Sequence, residues 1–199
     1  MLESPSATDL MAAYFAANQR LFQAGNIDGY ILVVRGLIAA TFAQQTEAGK
    51  DTAVKLSYNL STNLWPGWDD APALTRLHLT TGQEAAALNV RIAAVLNLAP
   101  ERRFNGHWAS GALALAVHDF GLAVEHFTAA VELGREAAVE TTTTMAESRL
   151  AFTAAISGDT SAEADLQQAV SRLEALGDDG LFYASHFEPA RSRLATVPA

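Results

Sequence analysis

Five histidines, two pairs of adjacent acids and a scatter of tryptophans and amides are the groups in this chain whose chemistry is worth weighing. The histidines are His78, His107, His118, His126 and His186. Two metal ligands on one helix stand three or four residues apart, so that both face the ion. His107 and His118 are eleven apart, and His118 and His126 straddle the start of a helix. At 1.5 Å of rise per residue, that eight-residue gap spans roughly 12 Å, too far for shared ligation. The spacing therefore predicts solvated or structural histidines and no metal. Asp69-Asp70 and Asp178-Asp179 flank expected helix starts, where negative charge meets the positive end of the helix dipole. Capping accounts for them. There is no nucleophile elbow, phosphate loop or dinucleotide fingerprint, so no catalytic residue and no cofactor are expected, and the chain reads as a non-enzyme.

The aromatic and amide groups carry more. Trp65 and Trp68 bracket the turn Trp65-Pro66-Gly67-Trp68, beside Tyr58, Asn59 and Asn63. Trp108 and Asn105 share the start of a later helix, and Arg149 lies on another. Tyr58, Asn59, Asn105, Trp108 and Arg149 are the candidate binding residues. A tryptophan is mostly buried even where it has no function, so simple packing between helices is the competing reading.

Composition limits the partners. Thirteen basic residues against twenty-two acidic ones give a net charge of −9. Such a surface repels nucleic-acid phosphates, and no basic stripe compensates. Half the residues are apolar and 18% are charged, well outside the disordered range. The chain has no cysteine, which excludes a disulfide scaffold and a cysteine nucleophile. Met-Leu-Glu-Ser-Pro at the start lacks the basic and apolar regions of a secretory signal. The most apolar run, Tyr30 to Ala43, is too short for a bilayer and contains Arg35. The expectation is a cytoplasmic protein with no membrane partner.

Apolar spacing of three and four places these groups on about nine helices. Helix 1 is predicted over 8–23 and ended by Gly25-Asn26; a second helix starts at Ile27 and is closed by Gly49. Asp51 is the expected N-cap of a third over 53–64, and a fourth runs from Pro72 to Asn97, interrupted at Thr80-Thr81-Gly82 so that it is either one bent helix or two short ones. The fifth begins at Pro100 and the sixth after His118-Asp119-Phe120-Gly121. Threonines 141–144 are expected to lie outside a helix, since β-branched residues resist its interior, with Thr144 and Glu147 capping the seventh. Thr160 with Glu163 opens the eighth, and a ninth over 181–194 covers the end. Short links make neighbours antiparallel.

Within 104–170 the pattern is more specific. Gly111 and Ala114 are small where one helix must approach the next, Phe120 is aromatic in the turn, and Ala123, Phe127 and Ala130 alternate small and large. Ala154, Gly158, Asp159, Ala162, Leu166 and Ala169 repeat the scheme with one residue fewer in the turn. This region resembles a tetratricopeptide repeat, with copies over 104–137 and 144–176. The usual aromatic early in the first helix and the closing proline are absent; Arg135 stands near the latter's place. The resemblance implies one domain over 1–199: an all-α, right-handed superhelix of antiparallel helix hairpins. It also implies a concave groove that takes in Asn105, Trp108 and Ala112, followed by Met145, Ser148 and Phe152 with Arg149 beside them.

Two functions follow as expectations. The first is an interaction module gripping a protein or peptide in the concave groove. The second is a helical small-ligand-binding protein or enzyme with a pocket near Tyr58, Asn59, Trp65 and Trp108. A homodimer formed through the same apolar surface is the third. An exposed Trp108 in an open groove favours the first; an enclosed polar cavity favours the second.

Overall fold

The computed structural model describes residues 5–196; Met1–Ser4 of the stretch read for a signal lie outside them. Those residues form helices α1 (Ala7–Ala17), α2 (Ile27–Ala43), α3 (Glu47–Asn63), α4 (Arg76–Val95) and α5 (Pro100–Ala116). They continue with α6 (Phe120–Ala137), α7 (Glu140–Ile156), α8 (Ala162–Glu174), α9 (Asp178–Ala184) and α10 (Phe187–Leu194). A π-helical turn, Asn18–Phe22, extends α1. No strand occurs among the described residues. The predicted ninth helix is present in two segments, divided at Ser185-His186.

Helices α1, α2, α3, α4 and α6 each start at a side chain that accepts from a first-turn amide. Ser6 and Asp9 make a reciprocal capping box on α1, and Asn26 accepts from the Gly29 amide on α2. Asp119 accepts from the Leu122 amide on α6, while Pro100 opens α5, where its missing N–H costs nothing.

Several expected boundaries move, each for a packing reason. Gly49 does not close α2; it lies in the first turn of α3, where a Cβ would come within 2.7 Å of the Thr41 carbonyl oxygen. The chain turns earlier, at Gln45 in the left-handed region (φ 50), and Thr46 rather than Asp51 caps α3. Asp51 is instead within α3 and pairs with Lys55 and Arg102. Helix α4 begins at Thr75-Arg76, capped by Thr75 and His78, and runs unbroken through Thr80-Thr81-Gly82. Gly82 is small because a Cβ there would stand 3.0 Å from Leu113 and 3.1 Å from Leu64. It permits close approach; it does not break the helix.

Threonines 141–144 lie inside α7, which starts at Glu140. A first turn has no preceding turn for a β-branched side chain to crowd. The Thr142 and Thr143 hydroxyls both donate to the Val139 carbonyl at 3.0 Å. Neither Thr144 nor Thr160 is a cap; Thr144 is buried, and α8 follows Ser161.

Consecutive helices pack along the chain from α1 to α9, and α3 also meets α1 and α5. The result is an all-α superhelical stack of hairpins. In 5–64 the core gathers Tyr14, Tyr30, Val34, Leu56 and Leu60. The larger core runs from Trp65 through α5, α6 and α7 to Leu194. Gly111, Ala114, Ala123, Phe127 and Ala130 all sit inside it or at its edge, and a Cβ on Gly111 would lie 2.8 Å from the Phe127 ring. Ala162, Leu166 and Ala169 form the buried face of α8. No helix among the described residues is long and apolar enough to cross a membrane.

Candidate functional site

The odd-numbered helices α3, α5, α7 and α9 share one side of the stack, and the link 64–75 folds across it. Pro66 and Gly67 turn the chain so sharply that the Trp65 ring lies on Gly67; a Cβ there would overlap it at 2.1 Å. The Trp68 indole donates to the Thr62 carbonyl at 2.7 Å, tying the link back to α3. From the other end, Arg193 of α10 donates to the carbonyls of Ala71 (2.7 Å) and Asp69. The link is thereby held between the two ends of the larger core.

All three tryptophans of the chain meet here. The Trp65 ring centroid is 4.8 Å from that of Trp68 and 5.6 Å from that of Trp108, and Trp68 stands 5.8 Å from Trp108. Trp108 is 4% exposed and Trp65 1%. Beside them is a cavity of about 60 Å³ lined by Tyr58, Trp68, Phe104, Asn105, Trp108, Thr142, Met145 and Tyr183. Burial, with Tyr183 adding to it, pushes the Tyr58 phenol up to about 12, so it stays a neutral donor at physiological pH. The lining holds no carboxylate and no imidazole. It can stack and hydrogen-bond, but it offers no proton-transfer group near neutrality.

Arg149 lies under the same cluster at 1% exposure. Its guanidinium carbon is 5.0 Å from the Trp65 ring centre, 4.3 Å from that of Phe187 and 5.7 Å from that of Phe152. Burial pushes it down to about 9. Its Nε and Nη1, and the indole nitrogens of Trp65 and Trp108, have no hydrogen-bond partner among the described residues.

Of the five candidate binding residues, Tyr58, Asn105 and Trp108 converge on one cavity. Arg149 joins them through Trp65. Asn59 does not: it is half-buried on α3, and its backbone carbonyl accepts from Thr62. Asn63 belongs to the N-terminal core, where its amide donates to the Tyr30 hydroxyl (2.8 Å) and to Asn18 (3.0 Å). Tyr183 and Phe187 were not read from the sequence as part of the site. Nothing local marks them, because α9 and α10 reach it only by folding back.

A second meeting of side chains was also not visible. His107 and His126, nineteen residues apart on α5 and α6, bring their Nδ1 atoms to 3.2 Å. Burial, the other imidazole and Arg103 push His107 down to about 4, and burial lowers His126 as well. Glu125 opposes both shifts. No group of three metal-binding side chains occurs among the described residues. A histidine whose folded-state pKa lies below its unfolded value binds its proton more readily in the unfolded chain. Stability then falls as pH drops from about 6.5 towards 4. For this half-exposed pair we expect a loss of about 1 kcal/mol between pH 7.5 and 5 after solvent screening. His107→Gln should lower that loss, which thermal denaturation at the two pH values measures.

Compared with known proteins, the chain matches no family model, no curated sequence and no solved structure.

Proposed function

We propose that the chain is a non-catalytic binding protein, a tetratricopeptide-like stack that holds a small ligand in the cleft between α3, α5, α7 and α9. The observation that carries this reading is the burial of Trp108 beside a small, partly open cavity. An open groove would leave that ring on the surface for an extended peptide to cover. Here the link 64–75 and helix α9 lie over it instead, and the neutral lining suits stacking and hydrogen bonding.

A screen of small metabolites by thermal shift tests the proposal. A ligand at a hundredfold excess over its Kd adds about 2.7 kcal/mol, or roughly 5–10 °C in Tm for a domain of this size. Because every tryptophan is in the cluster, the same ligand should change the intrinsic emission. Asn105→Leu should abolish both responses. A screen in which no compound moves Tm or emission would reject it.

Another reading, a scaffold for a protein or peptide partner, is favoured by a different place. Arg35, Ile38 and Phe42 of α2 and Glu84 and Leu88 of α4 line an open groove of about 340 Å³ with Leu60 at its floor. Phe42 is 42% exposed there, and an Arg35–Glu84 ion pair (3.6 Å) stands at its rim. If a partner or a second copy binds in this groove, Phe42→Asp should release it in sedimentation analysis while leaving the thermal-shift response intact.

A further inference from the structure

The expectation of no metal rests on histidine pairs eleven and eight residues apart; the α5–α6 hairpin makes a third pair, His107 and His126, that spacing does not reveal. Their Nδ1 atoms stand 3.2 Å apart, with ring centroids 5.3 Å apart and ring planes at 57°. Both rings thus turn the same nitrogen to a shared point. Zinc binds imidazole nitrogen at about 2.0–2.1 Å. At those bond lengths, two nitrogens 3.2 Å apart subtend an angle of about 100–105° at the ion, near the tetrahedral value.

The protonation of the rings suits an ion as well. A histidine binds metal through a neutral ring with a free lone pair. Burial holds both rings below the ordinary histidine range, and the neighbouring ring and Arg103 add to this at His107. Both are neutral at pH 7. Without an ion, one Nδ1–H donates to the other Nδ1. When an ion enters, that proton passes through solvent to Nε2 of the same ring, and both Nδ1 lone pairs face the ion. Each ring keeps one N–H, and no proton is released overall. The Glu125 carboxylate, whose charge reaches both rings, offsets part of the ion's charge, while Arg103 opposes it.

The donor set narrows the ion. Magnesium and calcium take oxygen, whereas paired imidazoles suit zinc, nickel or copper. The near-tetrahedral angle favours zinc over copper(II), whose tetragonal sites set neighbouring nitrogens at about 90°. No third histidine, aspartate or glutamate joins the pair among the described residues, so water fills the other two positions of a four-coordinate ion. Structural zinc sites have four protein ligands and catalytic ones three. A two-ligand site holds an ion that exchanges.

We infer that His107 and His126 bind one zinc ion between α5 and α6 through their Nδ1 atoms. The site is separate from the aromatic cavity, whose lining holds no histidine, and its test is independent of the ligand-binding reading.

The test uses the full chain, stripped of metal by a chelator, with zinc or magnesium chloride in a buffer that does not bind metals. Calorimetry should show one zinc ion per chain. Zinc at a hundredfold excess over its Kd should raise Tm by roughly 5–10 °C, and magnesium should leave Tm unchanged. His107→Gln and His126→Gln should each weaken zinc binding by about tenfold or more. In the parent, imidazole resonances of His107 and His126 should move with zinc while those of His78, His118 and His186 stay; this measurement decides where a variant does not fold. The inference is overturned if zinc does no better than magnesium, if either variant binds zinc as the parent does, or if the resonances of the other histidines move instead.

Discussion

Trp65→Ala is expected to cost about 3–5 kcal/mol of folding stability, the largest loss from a single truncation in the site region. Its side chain is the largest fully buried one in the chain. The ring lies on Gly67, meets Trp68 and Trp108 edge-on, and presents a face to the Arg149 guanidinium at 5.0 Å. Truncation would open a cavity where α5, α7 and the link 64–75 converge, and would expose a buried cation to one face fewer. A domain of ordinary stability has only about 5–15 kcal/mol in total, so the variant should be near the edge of folding. Trp65→Phe keeps a ring there and should cost well under half as much. Urea denaturation of the two variants makes the comparison. A loss below about 1 kcal/mol for Trp65→Ala would mean that the cluster collapses around the gap, contrary to the tight packing described.

The second large effect concerns the α5–α6 contact, where Gly111 and Phe127 are complementary. Phe127 is fully buried, and Phe127→Ala should cost about 3–5 kcal/mol. Gly111→Ala should cost about 1–3 kcal/mol, because the added methyl would press on the ring from 2.8 Å. The two changes together should cost at least 1 kcal/mol less than their sum, since the methyl at 111 enters volume the ring has left. Additive losses would show that the small residue and the large one do not share a space. The pairing is the physical content of the repeat-like pattern over 104–134, so this double-mutant cycle tests the pattern itself.

The site was legible only in part. Tyr58, Asn105 and Trp108 stood out as aromatic and amide groups in an alanine-rich chain, and they do line one cavity. Asn59, their neighbour in the sequence, does not, because one residue along a helix turns a side chain by about 100°. Tyr183, Phe187 and Arg193 reach the cluster from beyond residue 180, and His107 meets His126 across two helices. Spacing arguments see partners three or four residues apart; they do not see partners brought together by two hairpins.

Glycine shows the same division. Gly49 and Gly82 look like stops because glycine weakens a helix locally. Both are helical here, since what their missing Cβ allows is contact with Thr41, Leu64 and Leu113. The threonine run 141–144 was expected to stay outside a helix on intrinsic preference, yet it forms the first turns of α7, where its hydroxyls find carbonyls.

What the order of residues determined by itself is the class of the elements and, apart from the division at Ser185-His186, their number: helices at a period of three to four, ended by turns, with small residues where neighbours touch. Those are local properties, set within a turn or two of chain. Only the tertiary structure decided that the side expected to be an open groove is covered, that Trp108 is buried, and that Arg149 lies among aromatic rings with no carboxylate against it among the described residues. These depend on which distant segments come to rest against α5 and α7, and burial and electrostatic pairing are properties of that arrangement rather than of any stretch of sequence.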